Sequence, residues 1–375
     1  MANSAPANHA QPETLGAATL ETVVRSVDVF IPCHNYGRYL RQCADSVLRQ
    51  TGCHVRVLII DDASTDNSLE VAHSIAMTDG RVDVLVHEKN KGHIATYNAG
   101  IAWADADYML LLSADDLLAP MALSRAVALM EQNPTVGFVH GRALRFTDEM
   151  AISRELRQSP PADEPLQAKI LPGREFIQGL CSHPINPVET PTVVVRTALQ
   201  KRLGGYLPQL PHAGDLEMWL RLAAHADVGE IGALQAFTRL HGKNMRLTYE
   251  ADNMIQDYRQ RHLAFELFFS SQSSVLERAE ELASCARRKL AEEILWAAAR
   301  AFEQGSSRQD VGRLVHEARA IFPSISSNLL WWKVSARRVL GRHCWNVLAP
   351  IFHAPKRRWP GHPLKQRGRD RTDAC

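Results

Sequence analysis

From Val27 onward, short apolar runs alternate with segments whose apolar residues recur every three or four positions. The runs are VDVFIP (27–32), VRVLII (55–60), RVDVLVHE (81–88) and DYMLLLS (107–113). Between them, RYLRQCADSVLRQ (38–50), SLEVAHSIA (68–76) and IATYNAGIAWA (94–104) carry helical spacing. Short, near-continuous apolar runs predict strands buried on both faces, and their alternation with helices predicts βαβ units around a parallel sheet. A further helix is predicted over 122–133, strands over 135–146 and 191–196, and a helix over 214–226 with two acids in its first turn. Residues 149–170 are polar and Pro-bearing and predict a surface loop; from 251 to about 320 the pattern is almost wholly helical. No internal repeat interrupts this order.

Composition narrows the class. The chain has 375 residues, 45% hydrophobic and 22% charged, which suits a real core and two or three domains of about 100–200 residues each. A net charge of +2 gives the whole molecule no strong electrostatic preference, yet Trp331 to Cys375 holds 11 Lys and Arg against 2 Asp, leaving the remainder net acidic. Seven cysteines, at 33, 43, 53, 181, 285, 344 and 375, form no CxxC pair, which argues for free thiols in a reducing compartment. Residues 1–25 lack a basic start and a solid apolar core, so a disordered leader is expected rather than a signal peptide. No apolar run approaches the ~18–20 residues of a membrane span. These features predict a cytoplasmic protein, with a peripheral seat at the inner face of a membrane still open to it.

In open parallel α/β sheets, ligands bind beyond the carboxyl ends of the strands. That rule sorts the polar residues. Asp61 and Asp62 end the second strand, and Asp115 and Asp116 end the fourth. PCHNYGRY (32–39) follows the first strand and NKGH (90–93) the third. Two adjacent carboxylates do not both stay ionised without compensation, and a hard divalent cation that shares its other positions with water and phosphate oxygens is the simplest compensation. Taken alone, Asp115 and Asp116 could equally form a turn or cap the helix starting near Pro120. Ser64, Thr65 and Asp66 read as capping residues. Asp62 lies before that cap and could accept the imide N–H of uracil or another base.

Five segments, in order, carry a family resemblance: VFIPCHNYGRYLRQCADSVLRQ, VLIIDDASTDNS, NKGHIATYNAG, YMLLLSADD, and GDLEMWLRLA followed by FTRLHGKNM. Together, over Val27 to Met245, they resemble the family 2 glycosyltransferases. The resemblance implies an α/β protein of the GT-A (Rossmann-like) fold, a mostly parallel central sheet flanked by helices, here with a helical C-terminal extension. It implies an inverting transfer of sugar from a nucleotide-sugar donor, UDP first with dTDP and GDP open. The acceptor would be a glycan or lipid-linked molecule in surface polysaccharide or glycoconjugate assembly, and the cofactor a divalent cation, Mn²⁺ or Mg²⁺. Pro32, His34, Tyr36, Asp62 and Asn90 would surround the nucleoside and Asp115 would touch the ribose or sugar. Asp116, the last Asp of the DXD-like SADD, would bind the metal. Gly92 and Asn98 match the family as donor-side residues, with turn geometry and helix packing as their alternatives. Tyr97 stands where the family often has an arginine.

Inverting transfer needs one carboxylate, to take the acceptor hydroxyl's proton as that oxygen attacks the anomeric carbon. The resemblance points to Asp215, in HAGDLEMWLRL; capping the following helix is the alternative, and favouring the helix dipole is the reading for Glu217. His241, in RLHGKN, is placed at the metal or the diphosphate, with Lys243 and Arg246 as neutralising neighbours. The chain is thus divided into a leader (1–25), a catalytic domain (26–248), a helical extension (249–330) and a basic, Trp-rich tail (331–375). The tail could lie on an anionic membrane with Trp331, Trp332, Trp345 and Trp359 at the interface, bind a partner protein or anionic glycan, or be solvated. No nucleic-acid motif accompanies its charge, so no nucleic-acid partner is expected. Two other classes compete. A sugar-nucleotide nucleotidyltransferase would want a Gly-rich basic phosphate loop where this chain has PCHNYGRY. A non-catalytic nucleotide-sugar-binding scaffold has no need of Asp62, Asp116 and Asp215 together.

Overall fold

The computed structural model describes residues 24–147, 152, 167–242, 244 and 254–352. Nearly all of the expected leader, most of the 149–170 loop, Lys243, Arg246 and the tail beyond 352 lie outside the described residues.

The alternating apolar runs become the left half of a nine-stranded sheet. In β1 (Ser26–Cys33), Val27, Val29 and Ile31 face one core layer and Phe30 the other. β2 (His54–Asp61) repeats the division, Val55, Val57 and Ile59 against Leu58 and Ile60. Each side of the sheet therefore has its own hydrophobic layer, which is why these strands read as unbroken apolar runs. β3 (Val82–Val86) pairs parallel with β2, and β4 (Tyr108–Leu111) parallel with β1. The helices α1 (Gly37–Leu48), α2 (Ser68–Thr78) and α3 (His93–Trp103) make the crossovers. Asp28, fully buried in β1, is compensated by Arg56, whose Nε and Nη2 lie 2.8 and 2.7 Å from its oxygens, and by the amides of Asp105 and Ala106.

Beyond β4 the sheet turns mixed. Its order is β3-β2-β1-β4-β8-β6-β9-β5, with β7 on β9. The added elements are β5 (Leu117–Leu118), α4 (Ala122–Gln132), β6 (Val136–Phe146), β7 (Ala168–Leu171) and α5 (Gly173–Ser182). After a 3₁₀ turn at Thr190–Thr192 come β8 (Val194–Arg196), α6 (Thr197–Leu203), α7 (Gly214–Ala223) and β9 (Asp227–Arg239). β8 runs antiparallel to both β4 and β6, and β5 and β7 antiparallel to β9, while β6 and β9 are parallel. The parallel pairs of the expected, mostly parallel sheet are those of its first four strands and of β6 with β9. β9 is the longest strand of the sheet among the described residues, at 13 residues. Gly229 and Gly232 break its apolar pattern, and its register against β6 slips around Arg142.

The helical region comprises α8 (Ile255–Gln272), α9 (Ala279–Gln304), α10 (Arg308–Ile321) and α11 (Leu329–Phe352). Its first half shares a core layer with the sheet: Phe265, Phe268, Ala283 and Ala286 join the cluster that holds Phe30, Phe138 and Trp219. Its second half has a core of its own, with Leu290, Ile294, Val311, Leu314 and Trp345. Trp345 is only 6% exposed and Trp331 packs against the same cluster, so neither stands at an outer surface as the tail reading expected; Trp332 is 60% exposed and Trp359 lies outside the described residues. Helix amphipathicity explains the difference, because α11 turns one aromatic face inward. Its first turns also run across the expected boundary at 330/331. No helix among the described residues is long and apolar enough to cross a membrane.

Candidate active site

The carboxyl ends of β1–β4 lie on one rim, and the turns there are shaped by polar side chains. Asn35 and Ala63 sit in the left-handed region, φ 62° and 56°, directly after β1 and beside the first acid pair. Asn35 tolerates that conformation and uses its carbonyl oxygen to accept the Thr65 amide at 2.7 Å. His34 bonds the Asp62 carbonyl through Nδ1 at 2.8 Å, so Nδ1 carries the proton and Nε2 is left as an acceptor for the Asn90 amide at 3.2 Å. Pro32 sits in β1 opposite Ile60. Pro32, His34, Asn90 and Asp62 therefore share one corner.

Asp62 does more than line that corner. One carboxylate oxygen takes the His87 ring at 2.8 Å and the Lys91 amide at 2.9 Å, and the other takes the Gly92 amide at 2.9 Å. Burial alone would push its carboxyl up; these three donors outweigh it and hold the group below the usual carboxylate range. Gly92 starts α3 with φ 82° and open space around it, so the glycine is needed for its backbone angle rather than for room. In Asp61, Oδ2 accepts the Ser64 amide at 3.0 Å, while Oδ1 is buried without a partner.

The second acid pair is built differently. Asp115 Oδ2 meets His241 Nε2 at 2.9 Å. Asp116 is 6% exposed and accepts the Arg239 amide at 3.1 Å. Burial, then the neighbouring Asp115, pushes the Asp116 carboxyl well above the usual range. Arg239, also buried, supports the pair from beneath: Nε donates to the Asp115 carbonyl and Nη2 to Gln42, and its guanidinium lies between the rings of Tyr39 and Phe146. His241 stacks on Tyr39 and tilts against Tyr36, with ring centroids 5.6 Å away in each case, and Asn244 ties its backbone to that of Arg239. Tyr36 faces the same acids: burial, then Asp115, pushes its phenol up to about 12.

Asp215 enters from α7. Thr190 donates its hydroxyl to Asp215 Oδ2 at 2.6 Å, and the Tyr206 phenol also lies against that carboxylate. Burial raises the Asp215 carboxyl above the ordinary Asp value, and Thr190, Tyr206, His93 and His212 offset part of the rise. Both acid systems act on Tyr97, whose phenol is pushed upward by burial, then by Asp215, Asp115 and Asp116 in turn. Its ring packs edge-on against His93 and Tyr206, with centroids 5.4 Å away in each case.

Asn98, expected at the donor, spends both ends of its amide on the main chain of Tyr206, at 2.7 and 2.9 Å. That is a correction toward its packing alternative, and the clamp fixes the tyrosine that touches Asp215. The helical region reaches this loop too. His212 Nε2 meets Asp257 at 2.9 Å and its amide donates to Gln260, both on α8. His87, Thr190, Tyr206, His212 and Arg239 were not singled out from sequence. Only Arg239 carried a local signal, its place in the Arg-x-His-x-x-Asn run; the others come from distant elements.

Among the described residues, no group of three or more His, Cys, Asp and Glu side chains is arranged to hold a metal ion by itself. Asp115 and His241 are in hydrogen-bond contact, with Asp116 next in the chain, but these three side chains do not form such a group.

Comparison with known proteins adds to the geometry. The sequence model described as glycosyl transferase family 2 matches residues 28–190. An uncharacterized glycosyltransferase of Nostoc sp. is 32% identical over 145 residues, 39% of this chain and 45% of that protein. A chondroitin synthase of Pasteurella multocida is 32% identical over 114 residues, 30% of this chain and 12% of that protein. The chain thus spans less than half the length of these relatives. The crystal structure of S. aureus TarS 1–349 in complex with UDP-GlcNAc aligns with a TM-score of 0.59 at 15% identity, covering 87% of this chain and 91% of that one. At that identity the likeness speaks for the fold, which is GT-A, with a mixed sheet flanked by helices and a helical C-terminal region.

Proposed function

We propose that this chain, whose residues 28–190 match glycosyl transferase family 2, moves a sugar, with inversion, from a nucleotide-sugar donor to a glycan or lipid-linked acceptor in surface polysaccharide or glycoconjugate assembly. UDP is the proposed nucleotide, in keeping with the UDP-GlcNAc held by the TarS structure of the same fold. One observation carries the reading: Asp215, buried and bonded to Thr190, and Asp116, buried beside Asp115 and bonded to the Arg239 amide, both have carboxyls raised above the ordinary value, and both acids act on the Tyr97 phenol.

In this reading Asp215 is the base. Its raised affinity for protons suits it to take one from the acceptor hydroxyl, and Thr190 with the clamped Tyr206 aims it. The acceptor oxygen then bonds to the anomeric carbon as the bond from that carbon to the diphosphate oxygen breaks. Asp116 and His241 would hold a divalent cation, Mn²⁺ or Mg²⁺, which when bound supplies positive charge for the leaving diphosphate, and Asp115 would touch the ribose or sugar. His34, Asn90, Pro32 and Tyr36 would form the nucleoside corner. Asp62, saturated by N–H donors, supports that corner's shape through the 90–92 turn.

A panel of nucleotide sugars, read by nucleotide release with and without Mn²⁺, tests the reading. The expected result is metal-dependent release of UDP from one donor class. A protein that binds UDP yet releases none from any donor, with every acceptor class supplied, is a scaffold and not a transferase.

A further inference from the structure

Away from the acid site, α10 and α11 enclose an open cleft of about 550 Å³ lined by Arg308, Gln309, Gly312, Arg313, His316 and Arg338. No acid lines it. Two of its three arginines are exchanged between the helices. Arg308, on α10, lays its guanidinium over Gly341 of α11, where a Cβ would come within 2.3 Å of Nη2. Arg338, on α11, lays its own over Gly312 of α10, where a Cβ would meet Nη1 at 3.1 Å. Gly341 also breaks α11 locally, with φ 75°, so the chain gives up helical geometry at the point where Arg308 is seated.

Neither Arg308 nor Arg338 makes an ion pair with an acid among the described residues. Two guanidiniums brought to one cleft repel each other unless an anion sits between them. Arginine offers a planar fork of donors that matches the oxygens of a phosphate, and here two forks approach from opposite walls with backbone, not side chains, beneath them. We propose that this cleft is an anion-binding site for a compact phosphate-class group, with Arg308 and Arg338 as its ligands and Gly312 and Gly341 as the positions that make room for them. The phosphate could belong to a soluble molecule or to a lipid headgroup. Trp332 and Val339, 60% and 69% exposed on the same helix, are apolar neighbours of the kind a headgroup site uses.

Hydrogen–deuterium exchange of the full chain, titrated with inorganic phosphate against sodium chloride of equal ionic strength, tests the proposal. The expected result is phosphate-specific protection of amides within 308–345. The midpoint should rise about tenfold or more in R308Q/R338Q, the loss expected for two charge-assisted hydrogen-bonding groups. No protection in that segment of the wild-type protein overturns the proposal whatever the variant does, and so does an unchanged midpoint in a variant that melts like wild type. Co-sedimentation with phosphatidylglycerol but not phosphatidylcholine vesicles, lost in the double variant, supports a lipid source; phosphate protection without co-sedimentation supports a soluble one.

Discussion

Two strands of this protein end in the same dipeptide and put it to opposite uses. After β2, Asp62 is surrounded by donors and held below the usual carboxylate range. After β4, Asp116 receives one amide, is buried beside Asp115, and is held well above that range. At Asp62 the first arrangement is satisfied by the protein's own donors and fixes the turn that starts α3. The second leaves Asp116 buried beside a like-charged neighbour, an arrangement that costs the protein whenever both acids ionise. An acid pair therefore reports a ligand site only when its surroundings fail to neutralise it.

The strongest break of this comparison uses the carboxylate outside both pairs. Asp215→Asn is expected to lower turnover by about 10²–10⁴-fold while leaving donor affinity near wild type; an equal loss in affinity and rate would remove Asp215 from the base role. Next in size is Asp62→Ala, which strands the buried His87 ring and two amides. It should cost about 3–5 kcal/mol in denaturant unfolding, as breaking a buried pair does. Wild-type stability held by Asp62 is present above the ordinary carboxylate value and lost as pH falls through its lowered folded value. The variant should therefore lose less stability on acidification, and a parallel loss would show that the clasp is not electrostatic.

Asp116 should behave with the opposite sign. Its folded form keeps the proton more tightly than the unfolded one, so ionisation costs stability once pH rises above the ordinary carboxylate value. In chelator-treated protein at neutral pH, Asp116→Asn should raise the melting temperature by about 2–4 °C for each kcal/mol of penalty removed. Metal-dependent donor affinity should fall about 10–100-fold. A variant that is less stable and still binds donor in Mn²⁺ would make the second pair a structural clasp like the first. The smallest effect is expected at Thr190. Its hydroxyl favours the ionised form of Asp215, so Thr190→Val should move the acidic limb of the pH–rate profile to higher pH and leave the plateau nearly unchanged. A limb that stays in place would mean that Asp215 does not set it.

How the helical region bears on the site is visible in Arg261. Only 7% exposed, it bridges Asp257 of α8 and Glu293 of α9 at 2.9 Å each, and Asp257 in turn holds His212, three residues before Asp215. The loop that leads into Asp215 is thus braced by helices that carry no recognisable motif of their own.

Local pattern was enough to determine the βαβ frame and the gathering of polar residues on its rim. Apolar runs with helical intervals leave few other packings, and the strand ends then fall together. The family, too, was legible in five ordered segments. What the linear order did not decide was the electrostatic fate of each residue on that rim. IIDD and SADD look alike as strings, yet His87 and the 90–92 amides reach only the first, and Arg239 and His241 come to the second from across the sheet. Likewise Asn98 matched a binding motif but is consumed by Tyr206, more than a hundred positions away. A residue's period along the chain sets which way it faces; its protonation and its free hydrogen-bonding capacity depend on neighbours that only the folded chain brings within a few ångströms.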